Sequence, residues 1–201
     1  MSYPHELLTL IVEDEQSSQS FYDAVFDQLA AKGYPLAKPR FAFCHADGIK
    51  ALASDAIFHL VILDLRLPQS PNQPASENLD YGLDLLDKCS HRNAYPIPAM
   101  FVISGYLDRA NQSDLTARVS SSFAIGQVLI KGNNLEGDIE SAIKKCMVYC
   151  QVGIHVRDGG IDVFPTISPR DTISFGGLSY LKHVALVLMF NGGPPSVIPP
   201  C

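Results

Sequence analysis

The chain has 201 residues, 47% of them apolar and 18% charged, with a formal net charge of −6. That length accommodates one ordinary domain with an appendage, or two small domains, and the apolar share describes a globular chain rather than a disordered one. The acidic balance gives the chain as a whole no electrostatic footprint for nucleic acid, and five cysteines without a CxxC pair make neither a disulfide framework nor a zinc site. Cys146 and Cys150, spaced to share one helix face, read as packed thiols. The start, Met1-Ser2-Tyr3-Pro4-His5-Glu6, lacks a basic leader region. The longest apolar run, Val184 to Phe190, is far shorter than the roughly 20 residues a bilayer span needs. The expected compartment is therefore the cytoplasm, with no membrane association.

Taken in order, short apolar runs alternate with amphipathic stretches, the pattern of a doubly wound parallel sheet. Leu8 to Val12 predicts a first strand that ends in Glu13-Asp14-Glu15. Phe21, Val25 and Leu29 recur every four residues, so a helix is expected from Ser17 to Lys32, stopped by Gly33. Phe41 to Phe43 predicts a second strand and Asp47 to Ala53 a weaker helix. The third strand, Leu60 to Asp64, is a run of four apolar residues that ends on a carboxylate. A charge there cannot be core filler, because burying it unpaired costs several kcal/mol or more (roughly). It belongs at the carboxyl edge of the sheet, where open α/β folds place their reactive groups.

Pro68 to Asp80 reads as a long polar loop, and a solvated loop is the expectation over a lid. A third helix opens near Tyr81-Gly82 and runs towards Cys89. Ala99 to Ile103 predicts a fourth strand ending in Ser104-Gly105, followed by a helix between Leu107 and Val119. Gln127 to Ile130 predicts a fifth strand ending in Lys131-Gly132, with a last helix from Leu135 to Tyr149. Beyond it the texture changes. Ile161 to Phe164 and Thr172 to Phe175 read as the two arms of a β-hairpin, and Leu178 to Phe190 as an apolar helix broken by Asn191-Gly192-Gly193-Pro194. The chain thus divides into residues 1–150 and a C-terminal extension, 151–201.

An acid pair, an acid, a hydroxyl and a lysine, each at a strand end and in that order, make residues 1–150 resemble the receiver domain of bacterial two-component response regulators. The resemblance rests on Glu13-Asp14, Asp64, Ser104 and Lys131 and covers the whole first part of the chain. It implies a flavodoxin-like five-stranded sheet in the order 2-1-3-4-5. It also implies that Asp64 accepts a phosphoryl group as an acyl phosphate. Two anions repel on approach, so a Mg²⁺ ion is implied, with Asp14 and Asp64 as direct ligands, Glu13 through water and the carbonyl of Arg66 from the backbone. Lys131 and Ser104 would then serve two phosphoryl oxygens. The implied partner is a sensor histidine kinase or a phosphotransfer protein, and such a protein is a switch rather than a turnover enzyme.

Several residues depart from the family pattern. Lys131-Gly132 stands where the family usually has Lys-Pro, so a different turn is expected to hold Lys131. Val128 stands where an aromatic switch residue is common. The stretches from Asp64 to Gly82 and from Ser104 to Lys131 are longer than usual. These departures keep a second reading in view, an atypical receiver that acts as a phosphorylation-independent interaction module. A haloacid-dehalogenase-like phosphatase would need an acid two residues after the nucleophile, and Arg66 occupies that place. The extension faintly resembles the start of a winged-helix effector but has no recognition helix, so DNA binding by this chain is not expected and a homodimer is. Lys131 itself is expected to matter little for stability, since its head needs only water or an anion.

Overall fold

The computed structural model describes residues 6–54, 58–75, 79–90, 98–105, 109–123, 125–132, 134–149, 154–157 and 160–163. Strands β1 (Thr9–Val12), β2 (Arg40–Ala42), β3 (Leu60–Asp64), β4 (Ala99–Ser104) and β5 (Gly126–Ile130) form one parallel sheet in the order β2-β1-β3-β4-β5. Helices α1 (Gln16–Ala31), α2 (His45–Leu52), α3 (Asp80–Ser90), α4 (Arg109–Ser122) and α5 (Leu135–Tyr149) alternate with them. β1, β3 and β4 are buried along their whole length, as their unbroken apolar runs require in a sheet covered on both faces. This is the doubly wound, flavodoxin-like architecture.

Two cores result. On one face Ile11, Ile62, Phe101 and Leu129 pack beneath α1 and α5, through Tyr22, Val25, Phe26, Leu29, Ile139 and Ile143. On the other, Val12, Leu63, Met100 and Val102 pack beneath α3 and α4, through Leu85, Leu86, Leu115 and Val119. The every-fourth-residue stripe expected for α1 is corrected at one position. Phe21 is 37% exposed while Tyr22 is buried, because a core-facing helix presents the wider i, i+3, i+4, i+7 stripe, here Tyr22, Val25, Phe26 and Leu29. Phe21 instead meets the Tyr22 ring edge-on, 5.4 Å between centroids. Of the loop after β3, residues 71–75 are exposed and none of residues 68–75 joins a helix or strand. The described part of the loop is thus solvent-facing over residues 71–75, and residues 76–78 lie outside the described residues.

The first arm of the predicted hairpin is a strand, and it has a partner on its N-terminal side. β6 (Ile154–Arg157) pairs antiparallel with β7 (Gly160–Val163), so the arm at Ile161 pairs with the segment before it. Asp158-Gly159, between the paired Arg157 and Gly160, is the dipeptide that two-residue hairpin connections favour. Thr172 to Phe175, the apolar segment Leu178 to Phe190 and Cys150 lie outside the described residues. Cys146 is a packed thiol, fully buried and donating to the carbonyl of His59 at 3.2 Å.

His59, 5% exposed and immediately before β3, accepts the backbone N–H of Leu8 on Nδ1 at 2.9 Å, which requires that nitrogen unprotonated. Burial holds its pKa below the usual histidine value. The unfolded chain therefore takes up a proton, as pH falls below about 6.5, that the folded chain resists, and the stability this group contributes is lost in that direction. His59→Asn keeps an acceptor and removes the titration. We expect the stability difference between parent and His59→Asn to shift against the parent on going from pH 7.5 to 5.5 in urea denaturation. A pH-independent difference would show that the ring does not titrate as described.

Candidate functional site

The strand register brings the charged strand ends together. Val12 pairs with Leu63, Asp64 with Ile103, and Ser104 with Ile130. Glu13, Asp64, Ser104 and Lys131 consequently emerge within one residue of a common row at the carboxyl edge, and Asp14 follows directly. One side chain ties the row. Lys131 Nζ donates to Asp64 Oδ2 at 2.7 Å and to Glu13 Oε2 at 2.9 Å. The Arg66 backbone N–H donates to the other Asp64 oxygen, Oδ1, at 3.1 Å, and the Glu15 N–H to Glu13 Oε1 at 3.4 Å. Ser104 is buried at the end of β4, and its carbonyl accepts the Lys131 N–H at 3.2 Å, which anchors the lysine's backbone to the neighbouring strand.

The carboxylates are crowded. Ligand-capable oxygens of Glu13, Asp14 and Asp64 all lie within 4.8 Å of one another. The side chains of Glu13 and Asp64 are only 4% and 8% exposed. Burial and then the charge of Asp64 push the Glu13 carboxyl up to about 7, against the pull of Lys131. The same two causes raise Asp14. For Lys131 burial disfavours the cation, but its hydrogen bonds and ion pairs with Asp64 and Glu13 prevail and hold it above the usual lysine range. Three acids and one base therefore leave uncompensated negative charge in a small, partly dry volume. Hard oxygen donors without histidine or thiolate suit Mg²⁺ better than zinc.

The expectation for Lys131 changes accordingly. Its head donates to two buried carboxylates, and a contribution to stability is therefore expected from it. Val128 is half-buried, paired with Val102 and packed against the α3/α4 core. The loop after Asp64 is also anchored, since the first N–H groups of α2, from His45 and Ala46, donate to the carbonyls of Pro68 and Gln69 at 2.9 and 3.1 Å. Sequence reasoning missed two features beside the site: the complete burial of Leu65, and the close approach of Gly82 to its backbone. The signal for the second was a glycine in the first turn of a helix, where it lowers helix propensity.

No family model matches the sequence, and no curated protein sequence matches it. Solved structures do. A CheY-like response regulator receiver domain from Methanospirillum hungatei JF-1 shares 18% identity at a TM-score of 0.51, over 73% of this chain and 97% of that one. The signal receiver domain of an HD domain-containing protein from Pseudomonas fluorescens Pf-5 shares 18% identity at a TM-score of 0.53, over 73% and 98%. That of a putative Luxo repressor protein from Vibrio parahaemolyticus shares 18% identity at 0.53, over 75% and 99%. The chain thus has the fold of CheY-like receiver domains, each spanned nearly end to end. Among the described residues, no helix is long and apolar enough to cross a membrane.

Proposed function

We propose that residues 1–150 are a phosphoacceptor receiver of a two-component signalling pathway and that residues 151–201 are an appended segment through which the chain docks or dimerises. The observation that supports this most is the ion-paired cluster at the sheet edge. A buried aspartate clusters with two further carboxylates and accepts a hydrogen bond from a lysine, on the fold of receiver domains. The partner is a sensor histidine kinase or a phosphotransfer protein, and the chain is a switch rather than a turnover enzyme.

An Asp64 oxygen attacks the phosphorus of the donor; a new P–O bond forms as the bond to the leaving group breaks, giving an acyl phosphate. Each Asp64 oxygen accepts one hydrogen bond, Oδ2 from Lys131 and Oδ1 from the Arg66 N–H, and each keeps a further lone pair for phosphorus or a cation. The Lys131 ammonium, on a flexible side chain, can follow the transferred charge to a phosphoryl oxygen, while the Arg66 amide, fixed in the backbone, keeps the carboxylate oriented. The hydroxyl of Ser104 would serve a second oxygen. Glu13, Asp14, Asp64 and the carbonyl of Arg66 would hold Mg²⁺, which when bound neutralises the approaching phosphoryl charge.

Incubation with acetyl phosphate and Mg²⁺, followed by intact-mass measurement, tests the reading. One added phosphoryl group that depends on Mg²⁺ is expected. A folded protein that stays unlabelled would favour the phosphorylation-independent interaction module.

Metal binding carries a pH dependence of defined sign. Glu13, at about 7 in the metal-free fold, must lose its proton for the cluster to carry full charge. Mg²⁺ affinity should therefore fall as pH is lowered from 8 to 6. In the metal-free protein the sign is reversed for stability: a raised carboxyl contributes stability below its unfolded pKa that is lost as pH rises through about 7. Asp14→Ala removes one of few protein ligands and should weaken Mg²⁺ by about ten-fold or more. Superimposable titration curves for parent and variant would mean the metal sits elsewhere.

A further inference from the structure

Gly82, in the first turn of α3, lies against the backbone of Leu65. A Cβ at Gly82 would stand 2.5 Å from Leu65 Cα, 2.5 Å from its carbonyl oxygen and 2.9 Å from its carbonyl carbon. All three are main-chain atoms, which cannot turn aside as a flexible side chain can. Leu65 is the residue between Asp64 and Arg66, already joined by the Arg66 N–H on Asp64 Oδ1. Its side chain is fully buried, so its peptide cannot retreat without disturbing the core.

Helix α3 has no easier path. Leu85, Leu86 and Cys89 fix it to the core, and Asp84 binds Nε2 of His45 on α2 at 2.6 Å. Helix α2 already presses on it, since a Cβ at Gly48 would come within 3.0 Å of Leu85 Cδ1. A methyl group at position 82 would therefore be accommodated by displacing the end of β3, which carries the acceptor carboxylate.

We propose that Gly82 is a positioning residue for the site: its missing side chain lets α3 seat against Leu65 and so sets the Asp64 carboxylate and the Arg66 peptide for metal and phosphoryl binding. This rests on the reading of the cluster as a Mg²⁺-dependent phosphoacceptor, and deepens it with a residue that touches neither ligand.

Gly126 supplies the matched control. A Cβ there would stand 2.5 Å from the Val119 carbonyl oxygen and 2.9 Å from its carbonyl carbon, an equally hard main-chain collision. It lies at the amino end of β5, on the edge opposite the site. Parent, Gly82→Ala and Gly126→Ala are titrated with Mg²⁺ while the Arg66 amide resonance is followed, and each is melted without metal. Both variants should melt below the parent. Gly82→Ala should bind Mg²⁺ about ten-fold or more weakly, the loss typical of a group that orients a metal's ligands, and Gly126→Ala should bind it as the parent does. A Gly82→Ala protein with parental affinity overturns the proposal, as does an equal loss in Gly126→Ala. If Gly82→Ala is unfolded in buffer, all three are titrated in trimethylamine N-oxide, which favours folded chains. Failure to fold even there overturns the proposal, since the contact then serves the fold and not the site. A parent that shows no Mg²⁺ response would instead refute the phosphoacceptor reading, independently of Gly82.

Discussion

Lys131→Ala should lower the stability of the metal-free protein at pH 8 by about 2–3 kcal/mol, somewhat less than the roughly 3–5 kcal/mol of a fully buried pair. The discount reflects the lysine itself, whose side chain is 31% exposed. Its carboxylate partners are not: Glu13 and Asp64 are almost entirely buried, and they repel each other once the ammonium is gone. For a domain of this size the change amounts to about 5–10 °C in melting temperature. Two conditions should restore most of the loss. Mg²⁺ replaces the missing positive charge, and lowering the pH to about 6 protonates Glu13. A variant as stable as the parent without metal at pH 8 would show that the lysine is solvated rather than bridging.

The second large effect concerns chemistry. Asp64→Asn should abolish labelling by acetyl phosphate, because an amide oxygen is a poor nucleophile and cannot form the acyl phosphate. The fold should survive. The replacement has nearly the same shape, and its oxygen can still accept the Arg66 N–H or the Lys131 ammonium. It also removes the charge that, after burial, raises Glu13 and Asp14, so both carboxyls should titrate lower than in the parent. Carboxyl resonances followed by NMR would check this shift separately from labelling. Unchanged labelling in a folded Asp64→Asn protein would place the acceptor elsewhere.

Much of this arrangement was legible in the chain because buried parallel strands leave little choice. Leu60 to Asp64 can carry a carboxylate only where the ladder ends, and the same reasoning placed Glu13, Ser104 and Lys131 at neighbouring ends of one sheet. Helix α5 matches its expected span from Leu135 to Tyr149, since Ile139, Ile143 and Met147 recur on one face. What escaped depends on distances between elements far apart in sequence. Nothing in the residue string says that one ammonium reaches both Glu13 and Asp64, so Lys131 looked dispensable for stability. The choice of Tyr22 over Phe21 for the core follows from how α1 rolls on the sheet. The β6–β7 pairing did have a signal in the sequence, since Asp158-Gly159 is a dipeptide that two-residue hairpin connections favour.

Chemical trapping of the labelled residue tests the central claim most directly. After treatment with acetyl phosphate and Mg²⁺, borohydride reduces an aspartyl phosphate to homoserine, and peptide mass spectrometry locates the change. The account predicts that Asp64 alone is converted and that conversion disappears when Mg²⁺ is chelated. Conversion at Asp14 or at any other acid, or none at all in a folded protein with Mg²⁺ present, would contradict it.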